Sequence, residues 1–275
     1  MNKNTRYFEA WSERIREKRR GGDADLAELV RRLEIAKVRA GSTKPPIDLG
    51  ALARAASVVG VVQTELAFRG RIVEDGHGLV IEVNASLPRP EQRFTVAHEI
   101  AHLFVEGDSL RGTMRKGRGR ITRQRHAAVE ALCDRLAGEI LVPRQWLKQR
   151  LERDRVALET VRKSALEAEV PIGCIVRRIV DDGLWRVRFI RWVMGDGRFS
   201  AVESWPEVGE DFLAQLECAA GASVLKRAIL EGQPVEGHER LRSRDGETEY
   251  LIQCLAIDAQ GMRSQTEILS ALVFD

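Results

Sequence analysis

The sequence predicts an α+β protein in two parts: a mostly helical core with a small sheet, followed by a separate α+β domain over residues 183–275. Three observations lead there. Apolar residues recur at helical spacing through most of the first 182 residues. A pair of short β-rich runs flanks the glycine turn Asp75-Gly76-His77-Gly78. Beyond Asp181 the pattern changes to strand-like runs such as Leu184–Met194.

The first 45 residues read as a helical extension. Tyr7, Phe8, Trp11 and Ile15 recur at helical spacing, as do Leu26, Leu29, Val30 and Leu33, with Gly21-Gly22-Asp23 between them. Gly41–Pro46 is a linker, and Ile47–Val62 looks helical with Asp48 as its N-cap. Arg71–Glu74 and Leu79–Val83 form the hairpin; Leu79, Ile81 and Val83 face one side, Val80, Glu82 and Asn84 the other. Helices are expected at 91–106 and 122–140, joined by a Gly- and Arg-rich loop, and again at Arg144–Arg153, Val156–Glu169 and Gly173–Val180. In the last domain, Leu184–Met194, Thr248–Ile257 and Ile268–Phe274 read as strands and Glu210–Ala220 as a helix.

Composition narrows the class. With 44% apolar and 31% charged residues, the 275-residue chain resembles neither a disordered nor a membrane protein. Its longest apolar stretch, Ala55–Val62, is too short to span a bilayer. The amino terminus is charged and lacks the apolar stretch of a secretory signal. The four cysteines form no CxxC pair, which points away from a disulfide framework or thiolate zinc site and toward the reducing cytoplasm. A net charge of +3 neither demands nor excludes nucleic acid.

The segment that carries chemistry is His98-Glu99-Ile100-Ala101-His102, an HExxH run within a helical pattern. The i, i+4 spacing puts both imidazoles on one face, one turn apart, where they can share one Zn²⁺. Glu99 is turned about 100° from His98, close enough to activate water as general base without ligating. The flanking Phe94, Val96, Ala97, Ile100, Ala101 and Leu103 bury this helix, and buried histidines need partners. A catalytic site needs a third protein ligand. Glu106, His126, Glu130 and Asp134 are the candidates, Glu130 standing slightly ahead of His126. Glu130 and Asp134 share a helix face, so one can ligate while the other holds a histidine N–H. The two-histidine, one-carboxylate set accepts Zn²⁺ or Mn²⁺.

HEIAH followed by Glu130-x-x-Cys133-Asp134-x-Leu136-Ala137-x-x-x-Leu141-Val142-Pro143 resembles the ImmA/IrrE family of bacterial zinc metallopeptidases. Pro46–Ala53 and the strand Gly78–Asn84 are similar to that family too, so the resemblance covers about residues 45–145. It implies a zincin-like core over 46–145, zinc on His98, His102 and Glu130, Glu99 as base and Asp134 in the family's Asn/Asp place. It further implies a narrow protein substrate, typically a transcriptional repressor cut in response to stress or a mobile element. Some family members follow the core with a helix-turn-helix-like segment and a sensor domain related to GAF folds. Residues 146–182 and 183–275 resemble that arrangement in order and size.

Other features are weighed against plainer roles. Residues 111–125 hold seven basic side chains and no acidic one, which suits an exposed loop, a lid, or a contact with an acidic substrate or DNA phosphate. Arg123 and His126 are candidates for oxyanion or substrate contact. Leu79–Val83 is either a core strand or a sheet edge for strand addition by a peptide. Cys133 and Trp192 read as core packing. The leading reading is a cytoplasmic zinc endopeptidase. The alternative is a DNA- or protein-binding regulator, or antitoxin-like partner, with a structural zinc site.

Overall fold

The computed structural model describes residues 23–116, 123–151, 156–195, 198–207, 217–218, 223–243, 246–257 and 267–273. The chain divides into two compact units. One is drawn from the chain up to Trp146 together with Leu166–Pro171, the other from Leu147–Ala165 together with the chain from Ile172 onward.

In the first unit, α1 (Asp23–Arg39) and α2 (Leu49–Ala55) precede strands β1 (Val58–Thr64), β2 (Gly70–Glu74) and β3 (Leu79–Asn84). Asp48 caps α2 as expected, its carboxylate accepting from the Ala51 N–H. The helix does not continue to Val62. Ser57 takes a positive φ of 65°, which stops it, and the β-branched Val58, Val59, Val61 and Val62 then extend as β1. The sheet order is β1-β3-β2, with β1 parallel and β2 antiparallel to β3. β3 is therefore the central strand, so it offers no edge for strand addition; its side chains are buried on both faces except for partly exposed Glu82, which pairs with Arg71 at 2.7 Å.

Helix α3 (Arg89–Lys116) packs against β2 and β3, and α4 (Arg123–Leu141) lies along α3. Gly70 permits the first of these contacts. A Cβ there would sit 2.5 Å from Thr95 Cγ2 and 2.9 Å from the Glu82 carbonyl oxygen. The core beneath α3 and α4 holds Ile81, Val83, Ala97, Ile100, Ala101, Leu136, Ala137, Ile140 and Leu141. Helix α3 runs on to Lys116, past the expected end at 106, while α4 starts at Arg123, within a residue of the expected helix, so residues 111–116 and 123–125 of the basic stretch are helical rather than part of a loop. The side chains of the basic stretch 111–125 lie outside the described residues.

The second unit takes in α6 (Leu158–Ala168) as far as Ala165, together with α7 (Ile172–Asp181); the short α5 (Arg144–Leu151) precedes them. Six of the ten residues of α7 are buried, among them Arg178, which pairs with Asp182 at 2.8 Å. Strands β4 (Val187–Gly195), β5 (Arg198–Trp205), β6 (Glu217–Cys218), β7 (Val235–Ser243), β8 (Gly246–Ile257) and β9 (Glu267–Val273) close into an antiparallel barrel. Helix α8 (Ser223–Glu231) packs on β7, β8 and β9, and Glu239 accepts from the Val224 N–H in its first turn. Trp192 is fully buried and donates to Ser270 Oγ at 2.8 Å, a core role. The helix expected at Glu210–Ala220 is not formed at Glu217–Cys218, which pair with β5 and β7, and residues 208–216 lie outside the described set. The two units together make an α+β protein.

Candidate metal centre

The HExxH helix is fixed well before its motif. Arg89 Nη2 donates to Glu169 Oε2 at 3.0 Å, and Arg93 Nη2 donates to the Ile47 carbonyl at 2.9 Å. Arg93 Nε approaches the same Glu169 oxygen at 3.6 Å, and Arg69 pairs with Glu91. Thr95, buried against Gly70, returns its hydroxyl to the Glu91 carbonyl. These contacts set the rotation of α3, which presents Ala97, Ile100 and Ala101 to the core and leaves His98 and His102 partly exposed.

Helix α4 supplies the other half. His98 Nδ1 lies 2.8 Å from Asp134 Oδ1, and His98 Nε2 lies 3.1 Å from Glu130 Oε2. His102 Nε2 is 3.1 Å from His98 Nε2 and 3.5 Å from Glu130 Oε1. The two rings stand edge to face, with centroids 4.9 Å apart. The hydrogen bond to Asp134 places the His98 proton on Nδ1 and directs the lone pair of Nε2 toward His102 and Glu130.

One donor atom each from His98, His102 and Glu130 falls within 4.8 Å of the others, the spacing a single metal ion bridges. Two imidazole nitrogens and a carboxylate form a donor set that fits a divalent cation. Burial pushes the Glu99 carboxyl above the usual carboxylate range, against the pull of His102 and His98. Burial also works against protonation of His98, but the hydrogen bond and charge of Asp134, with Glu99 and Glu130, outweigh it and hold this imidazole above its ordinary value.

Of the residues nominated from the sequence, the structure brings together His98, His102, Glu130 and Asp134, and Glu130 is the third donor among the described residues. The side chains of Glu106, Arg123 and His126 lie outside the described residues. Cys133, between Glu130 and Asp134, is fully buried in the core. The sequence gives no sign of Arg93, Glu169 or Lys37 as supports of the two site helices; each acts through partners distant in the chain.

A helix-borne HExxH pair completed by a glutamate from a neighbouring helix is an arrangement that could hold one metal ion with Glu99 beside it. Residues 65–179 match the family described as the IrrE N-terminal-like domain, Peptidase_M78, and the ImmA/IrrE resemblance is borne out over those residues. A solved structure described as a Mycobacterium tuberculosis transcriptional regulator is similar in fold. That likeness has a TM-score of 0.56 at 17% identity and covers 90% of this chain and 76% of the other. No curated protein matches the chain. No helix among the described residues is long and apolar enough to cross a membrane.

Proposed function

We propose that this chain is a cytoplasmic zinc-dependent endopeptidase that cleaves a specific protein substrate, a transcriptional repressor or regulator, in a stress or mobile-element response. The observation that carries the reading is the convergence of His98, His102 and Glu130 beside Glu99. The family match supports the peptidase class, and the neighbour's description as a transcriptional regulator supports the regulatory setting. Residues 46–145 form the zincin-like core in this reading, 146–182 a helical segment, and 183–275 a sensor domain of GAF-like kind.

His98, His102 and Glu130 would hold the ion, which supplies Lewis acidity to the scissile carbonyl and to water when bound. Zn²⁺ is the expected ion and Mn²⁺ is compatible with the same donors. Asp134 fixes the tautomer of His98 so that Nε2 stays a donor. Glu99, whose affinity for a proton is raised by burial, takes the proton of the attacking water and delivers it to the leaving amine nitrogen. Arg123 and His126, at the start of the ligand helix, remain proposed contacts for the developing oxyanion.

The test compares new protein amino termini in host cells expressing wild type or Glu99→Gln, with and without DNA damage. Termini present only with wild type establish proteolysis and name the substrate. Their absence under every trigger, with wild type and Glu99→Gln supporting the same regulation, would favour a binding protein with a structural metal. That alternative is weaker on one observation: α7, which would serve as the recognition helix of a DNA-binding pair, is mostly buried and has no broad face to lay in a groove.

A further inference from the structure

Lys37 has no exposed surface, although lysine is among the residues least often fully buried. Its ammonium pairs with Glu34 one turn back on α1 and donates to the Glu139 main-chain carbonyl at 3.3 Å. Glu139 lies in the last turn of α4, the helix that carries Glu130 and Asp134. In a continuing helix the residue four positions on would donate to this carbonyl. That residue is Pro143, which has no N–H. A buried side chain 102 positions away in sequence therefore supplies the donor that the proline removes. A cation at the carboxyl end of a helix is also favoured by the helix dipole.

The same helix α1 touches α3 as well as α4, buries Leu33 and Ala36, and places Arg32 over the Phe104 ring at 6.0 Å. It lies outside residues 65–179, where the family match falls. We infer that Lys37 is a positioning residue for the metal set: by capping the last turn of α4 at Glu139, it fixes the axial register at which Glu130 and Asp134 meet His98 and His102. Helix α1 is then part of the metal-binding core rather than an extension to it, and the core begins before residue 46. This inference rests on the metal-site reading above.

The test uses the full chain. Zinc affinity is measured by chelator competition, and the cobalt(II) absorption spectrum reports the donor geometry, for wild type, Lys37→Met, Lys37→Gln, Lys37→Arg, Leu33→Ala and His98→Ala. Lys37→Met keeps the length of the stem and loses the donor. It is expected to bind zinc about tenfold more weakly, as is usual when support of a ligand is lost, and to shift the cobalt bands. Lys37→Arg restores both, and Lys37→Gln falls between. Leu33→Ala controls for packing on the same helix and is expected to lower stability with little change in the cobalt spectrum. Wild-type affinity and spectrum in folded Lys37→Met would overturn the inference. Where Lys37→Met does not fold, Lys37→Gln is compared with Leu33→Ala at equal melting temperature, and equal loss of metal affinity in the two overturns it. Failure of wild type to bind zinc, or unchanged binding in His98→Ala, would instead sink the metal-site reading itself.

Discussion

Glu99 is a carboxylate beside the donor cluster that is not one of its three donors. It follows His98 directly in sequence, yet the three groups whose donor atoms converge are His98, His102 and Glu130. In the proposed mechanism a residue placed this way serves the reaction without holding the ion. Glu99→Gln is accordingly expected to lower kcat by about 10²–10⁴-fold on any cleaved substrate while metal content by elemental analysis stays at the wild-type level. Asp134 makes the complementary prediction, since it touches a ligand and not the ion. Asp134→Ala should weaken metal binding by roughly 10–100-fold in chelator competition, whereas Asp134→Asn, which can still accept from His98 Nδ1, should retain most of the affinity. This much of the site was legible in the sequence. The i, i+4 histidines and the i, i+4 acids each mark a helix face, but spacing alone leaves His126 beside Glu130 as third ligand, and the choice of Glu130 comes from the family resemblance. Lys37 was not legible, because its role exists only through Pro143 and a packing contact made 102 positions along the chain.

At the scale of elements, β1 and β2 are the two edges of the three-stranded sheet, and β2 is the edge strand against which the HExxH helix packs, so in the peptidase reading it is the edge a substrate would meet. The Asn84 N–H donates to the Arg69 carbonyl and the Asp75 N–H to the Gly78 carbonyl. By the alternation of an antiparallel ladder, Arg71 and Val73 also bond to β3, while the N–H and C=O of Gly70, Ile72 and Glu74 face away from it. No strand pairs with that side of β2 among the described residues, and α3 packs against this strand. An extended peptide adding there would need the Glu74 N–H but not the Val73 N–H. Glu74→Pro should therefore leave the fold and metal content intact and lower kcat/KM on the identified substrate by about tenfold, the worth of roughly one main-chain hydrogen bond. Val73→Pro should instead unfold the first unit in circular dichroism, because it removes a ladder bond. Gly70→Val offers a check on the packing itself: its side chain would collide with Thr95 and the Glu82 carbonyl, and urea titration should show a loss of about 1–3 kcal/mol. Helices α3 and α4 are readable from the sequence because their periods persist over many residues, and the hairpin because a glycine turn separates two short β-rich runs. β1 was not, since Ala55–Val62 is an apolar run that fits helix and strand alike until Ser57 turns the backbone. β6, two residues long, leaves no pattern to read.

For the whole molecule, each unit has a core of its own. The first centres on Ile81, Ile100, Leu136 and Ile140, the second on Trp192, Leu225, Ile252 and Ile268. The change of pattern near Asp181 predicts that a second body exists, but the closed barrel is hidden in the sequence because a strand such as β7 carries charged residues, Glu236 and Arg240, at outward positions. Two cores make a single unfolding transition a poor expectation. Calorimetry of the full chain should show two endotherms, and metal should act on one of them, since all three converging donors belong to the first unit. At free zinc one hundred times its dissociation constant, binding to the native state adds about 2.7 kcal/mol. For a unit of this size that corresponds to a rise of roughly 5–10 °C in the first unit's transition, reversed by a chelator, with the barrel's transition unmoved. His98→Ala should abolish the rise without altering the second endotherm. A rise of both transitions together would mean that the metal-bearing unit and the barrel unfold as one cooperative body, and the barrel would then be able to influence the metal set through stability alone.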